Sequence, residues 1–301
     1  MPICKAVIDI GTNSVRLFVA VKEGNTFFPL TRQLVTTRLG AGLVSTALLS
    51  SEGKKRTLAA IRSFIATADR LCAEKILIIG TSAMREAQDG AFFAEQIQNQ
   101  FGVPVNILPR ETEALYSYTG VTLSLSSMTD LVVFDLGGGS CEIIWSQAGQ
   151  LVLCSQKIGA VYLSERFFAH DPPQAAEVEL AQKFIRQQLA ECCLPARPLV
   201  GVGGTVTSLA AMAMEMREYA AERVHGYSLS RPTVSRLLAT MLSLPCPERE
   251  RLPGIQKERA AILPAGTLVV DLLLAISGES SLLVSEGDIL LGSLYHLSEE
   301  A

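Results

Sequence analysis

The sequence predicts an α/β protein built of two similar domains, and three observations carry that expectation. Short β-branched apolar runs alternate with longer stretches of helical period along the chain. An Asp, a Gly two residues on and a Ser three further, set in apolar flanks, occur twice: Asp9, Gly11 and Ser14 in AVIDIGTNSVRLFVA, and Asp135, Gly137 and Ser140 in LVVFDLGGGSCEIIW. Each copy is followed farther along by a strand that ends in Gly and Thr and enters a helix-like stretch, KILIIGTSAMREA from Lys75 and PLVGVGGTVTSLAAM from Pro198. At 301 residues the chain is also longer than most single cores.

In chain order, AVIDI and RLFVA read as two strands joined by the Gly11–Ser14 turn, and a third strand follows at 26–37. Apolar spacing predicts helices near 54–72, 90–100 behind Asp89 as cap, and 111–124, with a strand at 103–108. The small polar run SLSSMTD, 124–130, reads as a linker. It sets an N-terminal domain at 1–125 and a C-terminal domain at 126–301, with a last helix, about 287–301, packing back on the first. In the second half, LVVFDL and CEIIW are strands, and helices are expected at 160–169, 174–192, 205–222, 232–243 behind Ser230, and 257–276. Two such halves are expected to face each other across a cleft.

Composition narrows the function. Hydrophobic residues make up 49% and charged residues 19%, with a net charge of −4, so neither a broad nucleic-acid surface nor a membrane surface is expected. Any polyanionic ligand must meet a local positive site. Seven cysteines lie at 4, 72, 141, 154, 192, 193 and 246 without CxxC spacing, which reads as reduced thiols in a cytoplasmic protein. The stretch GTLVVDLLLAI carries Asp271 and is too short to span a bilayer.

The chemistry concentrates in the loops. Gly137, Gly138 and Gly139 allow backbone N–H groups to approach an anion, and Ser140 adds a hydroxyl. Gly11, Thr12, Asn13 and Ser14 form a second such set; Gly203, Gly204 and Thr205 form a third at the start of a helix. Any one of these could be an ordinary tight turn, whereas three in a duplicated frame point to phosphate. No GxxxxGK[ST] is present, and GGGSCEIIW continues as a strand, which excludes a P-loop and a dinucleotide fingerprint. Asp9 and Asp135 end apolar strands, where each either fixes a turn or, with Glu142, offers oxygen ligands to Mg²⁺. Arg85 reads either as an exposed helix arginine or as a bidentate phosphate ligand, and Glu113 locally reads as a carboxylate complementing a helix dipole. His170, His225 and His296 are too dispersed for a metal set.

The segments IDIGTNSVRL, RLGAGL, GTSAMREA, ETEALYSYTGV, FDLGGGSCEII, GAVYLSERF, GVGGTVTSLAAM, HGYSLS and ERAAILPAG, in that order, resemble the exopolyphosphatase and guanosine pentaphosphate phosphohydrolase family. The resemblance implies two domains of the actin-like superfold, each with a mixed five-stranded sheet. It implies Mg²⁺-assisted release of the terminal phosphate of polyphosphate or guanosine pentaphosphate. In that comparison the catalytic glutamate falls on Glu113, the phosphate-contacting arginine on Arg85, and the acids that position water, metal and phosphate on Asp135 and Glu142; Asp9 stays a metal candidate on its strand-end position alone. Relatives often carry a second glutamate before the catalytic one, where this chain has Thr112, and an arginine at Leu115. Larger relatives add a helical C-terminal region not expected here, which favours short polyphosphate or a discrete nucleotide over a long polymer channel; a homodimer is expected, and it could rebuild an extended path. A non-catalytic polyphosphate or alarmone sensor and a kinase of the same superfold are the alternatives.

Overall fold

The computed structural model describes residues 3–24, 26–125 and 127–299. The chain divides into two compact units, Met1–Tyr116 with Ile289–Ala301, and Ser117–Asp288. The division falls inside the helix Arg110–Ser124, upstream of the polar run at 124–130. Ser126, where the second domain was expected to start, lies outside the described residues.

In the first unit, strands β1 (Ile3–Ile10), β2 (Ser14–Glu23), β3 (Thr26–Thr36), β4 (Lys75–Gly80) and β5 (Val105–Ile107) form one sheet in the order β3-β2-β1-β4-β5. The first three are antiparallel neighbours, while β4 and β5 join in parallel. Strand β1 is buried on both faces, which explains its nearly unbroken apolar run. Ile8, Ile10 and Leu17 pack with Ile61 and Phe64 of the helix Ser51–Arg70 and with Phe93 and Ile97 of the helix Gly90–Phe101. On the other face Val7, Phe18 and Ile79 meet Ile289, Leu290 and Leu294 of the last helix, Ile289–Glu299.

The second unit repeats this plan. Strands β6 (Val132–Leu136), β7 (Cys141–Gln147), β8 (Gln150–Gln156), β9 (Leu199–Val202), β10 (Ser228–Ser230) and β11 (Ser281–Val284) lie in the order β10-β11-β9-β6-β7-β8. An antiparallel β6-β7-β8 meander followed by parallel β9 and β11 reproduces β1-β2-β3, β4 and β5. Both units thus have the actin-like arrangement. The second sheet has six strands where five were expected, because β10 adds antiparallel to the outer side of β11.

Two predicted helices differ in extent. The long helix of the stretch 205–222 covers Gly204–Ala213 and a short one restarts at Ala221, because Glu215 takes a left-handed φ of 48° and the turn drops Met216 into the core. Over 257–276 the helix proper is Leu263–Ser277, since Pro264 is tolerated only in a first turn. Ser230 caps its helix, accepting from the Thr233 N–H. Asp89 sits at its N-cap but sends its carboxylate to the Leu49 N–H, 3.0 Å away, and to Lys54.

The expectation of wholly reduced cysteines is corrected. Strand β8, which apolar spacing did not announce, carries Cys154 to Cys192 beyond the helix Ala175–Ala190, and the two form a disulfide. Cys4, Cys72, Cys141, Cys193 and Cys246 are free thiols. Among the described residues, no helix is long and apolar enough to cross a membrane.

Candidate active site

The duplicated turn has the same closure in both units. The Gly11 N–H donates to the Ser14 carbonyl at 3.0 Å, and the Gly137 N–H donates to the Ser140 carbonyl at 3.0 Å. Strand register then sets what faces each aspartate. Asp9 lies opposite Arg16, and Asp135 lies opposite Glu142.

In the first unit that register produces an ion pair. Asp9 is 3% exposed and accepts from Arg16 Nε at 2.9 Å and Nη2 at 2.6 Å. Thr12, Asn13 and Ser14 are buried, and the loop's carbonyls are engaged: the Asn13 carbonyl accepts from the Thr37 and Arg38 N–H groups, and the Thr12 carbonyl from that of Gly40. Farther along, β4 leads through Thr81 into the short helix Ser82–Glu86, which carries Arg85 inward. Arg85 Nη1 donates to the Leu108 carbonyl at 2.8 Å and to Glu113 Oε2 at 2.7 Å. Its Nε and Nη2 are buried and have no hydrogen-bond partner among the described residues. Glu113 occupies the first turn of the helix Arg110–Ser124, and 11% of its side chain is exposed. The fold therefore brings Arg85 and Glu113 together, although they are distant in sequence.

In the second unit the glycine loop is braced by the entry of the helix Ala160–Phe167. The N–H of Ala160 donates to the Gly137 carbonyl, those of Val161 and Tyr162 to the Gly138 carbonyl, and that of Gly159 to the Gly139 carbonyl. A trans peptide points its N–H opposite its C=O. With three successive carbonyls drawn to this helix, the N–H groups of Gly138, Gly139 and Ser140 are directed away from it. The close approach falls on Gly159, where a Cβ would overlap the backbone of Gly138 and Gly139. Gly203 takes φ 97° beside the Leu136 carbonyl and opens the ten-residue helix Gly204–Ala213. Thr205 is buried in its first turn.

The acids of this unit are held by hydroxyls. Ser117 donates to Asp135 Oδ2 at 2.6 Å, and Ser155 donates to Glu142 Oε1 at 2.9 Å. Burial pushes the neighbouring Cys141 thiol well above its ordinary pKa, and the Glu142 and Asp135 charges push it further. Among the described residues no group of three His, Cys, Asp or Glu side chains is placed to hold a metal ion. Asp9, in the first unit, is engaged by Arg16. Asp135 and Glu142 remain as a pair of hard oxygen donors on adjacent strands, suited to a Mg²⁺ that also takes water and phosphate oxygens.

Sequence reasoning gave no role to Arg16, Ser117, Ser155 or Arg259. Arg259 is 9% exposed, and its guanidinium lies against Gly204, where a Cβ would overlap it. Arg16 was within reach of the sequence, because a two-strand turn pairs residues symmetrically about its loop. Ser117 was not, since its partner is set by helix packing.

Comparison with known proteins decides the family. A profile of the Ppx/GppA phosphatase family matches residues 18–300. The chain belongs to the Ppx/GppA phosphatase family. It is 30% identical to "Exopolyphosphatase 2" of Mycobacterium tuberculosis, over 95% of this chain and 96% of that protein. The crystal structure of the Aquifex aeolicus Ppx/GppA family member superposes with a TM-score of 0.85 at 28% identity, covering 100% of this chain and 99% of that one. An exopolyphosphatase structure from Cytophaga hutchinsonii shares the fold, with a TM-score of 0.90 at 23% identity over 99% of this chain and 98% of that one. As a Ppx/GppA phosphatase the chain is a hydrolase of phosphoric anhydrides, and the candidate residues above are those to weigh for that chemistry.

Proposed function

We propose that the protein releases the terminal phosphate of inorganic polyphosphate, guanosine pentaphosphate, or both, by in-line attack of water with Mg²⁺ assistance. The observation that carries this reading is the Arg85–Glu113 pair. A buried guanidinium binds the carboxylate through one nitrogen while Nε and Nη2 have no partner among the described residues. Buried donors without partners are costly, and a phosphate oxygen relieves that cost.

Glu113 accepts the proton of the attacking water, as a general base. Arg85 contacts the terminal phosphate, and the backbone N–H groups of the loops at 138–140 and 203–205, with those of Thr12–Ser14, are donors for phosphate oxygens. The bond from water oxygen to phosphorus forms as the terminal anhydride P–O bond breaks, leaving a chain shorter by one phosphate. Asp135 and Glu142 would hold the metal, and when bound Mg²⁺ neutralises charge on the anhydride oxygens. Asp9 acts through Arg16, which it orients.

The test measures phosphate release in parallel from short polyphosphate, long polyphosphate and guanosine pentaphosphate, with and without Mg²⁺. Cation-dependent release from at least one is expected, and the ratio identifies the substrate. No release from any of the three would sink the proposal.

A further inference from the structure

We infer that Ser117 is a positioning residue for Asp135, and through it for the divalent-cation site of β6 and β7; this rests on the function proposed above. Ser117 is fully buried on the helix Arg110–Ser124, and its hydroxyl donates to Asp135 Oδ2 at 2.6 Å. A hydrogen bond to an ionised acceptor is stronger than a neutral one and fixes the acid's rotamer. The other oxygen, Oδ1, is turned toward the Gly203 turn, 3.4 Å from where a Cβ on Gly203 would stand. The helix thus aims one carboxylate oxygen at the third glycine loop.

Glu142, directly opposite Asp135, has a hydroxyl partner of its own in Ser155, which is its register neighbour across β7 and β8. The two serines differ in what enforces them. The ladder of β7 and β8 sets Ser155 through backbone pairing, whereas Ser117 reaches Asp135 from outside the sheet. The Ser117 hydroxyl thus holds Asp135 Oδ2 from outside the β6-β7 ladder. Partners of metal-binding carboxylates that do not themselves touch the metal typically change cation affinity by 10–100-fold when removed.

The test compares wild type, Ser117→Ala and Ser117→Thr for binding of Mn²⁺ alone, without substrate, beside thermal melting. Affinity is expected to fall about tenfold or more in Ser117→Ala and to be largely kept in Ser117→Thr, which retains the hydroxyl. Unchanged affinity in Ser117→Ala would overturn the inference. So would equal losses in both variants, since packing and not the hydroxyl would then set the site. A wild-type protein that binds no divalent cation would overturn it too. A wild type that binds Mn²⁺ but releases no phosphate would refute the proposed function and leave this comparison standing.

Discussion

Arg85 and Glu113 show how little a residue's neighbours in sequence say about its work. Locally one reads as a helix arginine and the other as a helix-dipole carboxylate, yet the fold joins them at 2.7 Å in a largely buried setting. Under the proposed function, Glu113→Gln keeps the shape and removes the base. Phosphate release is expected to fall by about 10²–10⁴-fold while substrate binding persists, and near-normal turnover would remove Glu113 from that role. The glycines of 137–139 read in sequence as a phosphate loop, and the close backbone approach to that loop lies on Gly159, whose added Cβ would overlap Gly138 and Gly139. Gly159→Ala is expected to abolish most phosphate release while the protein still folds, as checked by circular dichroism beside the assay. Equal loss of structure and activity would instead make the position a folding requirement.

At the scale of elements, apolar period located most helices, and the misses have physical causes in turn geometry and side-chain competition. Asp89 keeps its expected place at the N-cap, but Lys54 and the Leu49 N–H compete for its carboxylate and win. Partial burial pushes the Asp89 pKa up, but the Lys54 and Leu49 bonds more than offset this and leave it below the ordinary value. A depressed folded pKa contributes stability above the unfolded value of about 3.9 and loses it as pH falls through the folded value. The stability gap between wild type and Asp89→Asn should therefore be open at pH 7 and close below about pH 4, as urea denaturation across pH will show. Strand β8 is a miss, and with it the Cys154–Cys192 disulfide across a separation of 38 residues. Reduction, or Cys192→Ser, is expected to cost on the order of 3–4 kcal/mol; an unchanged unfolding midpoint with and without reductant would show that the bridge contributes nothing in solution.

At the scale of the whole molecule, the chain is an internal repeat whose copies have diverged in chemistry. The turn closure is the same in both, while the position across from the aspartate holds Arg16 in one and Glu142 in the other. One copy has therefore become an ion pair and the other a pair of acids. The last helix completes the first unit from the far end of the sequence, burying Leu294 fully against the sheet face that holds Val7 and Phe18. Leu294→Ala is expected to destabilise the protein by about 2–5 kcal/mol, measured by denaturant unfolding, and a loss within error of zero would mean this contact does not hold the unit together.

The sequence alone determined the α/β class, the repeat and the family, because these reside in short-range periodicity and in loop motifs whose spacing is covalent. Tertiary structure decided which carboxylates lie opposite one another, which hydroxyls hold them, where the cysteines meet and that β10 widens the second sheet. Those outcomes depend on strand register and helix packing between residues far apart in the chain. Ser117 and Asp135 are 18 residues apart, and only the packing of a helix on β6 brings the hydroxyl to the acid.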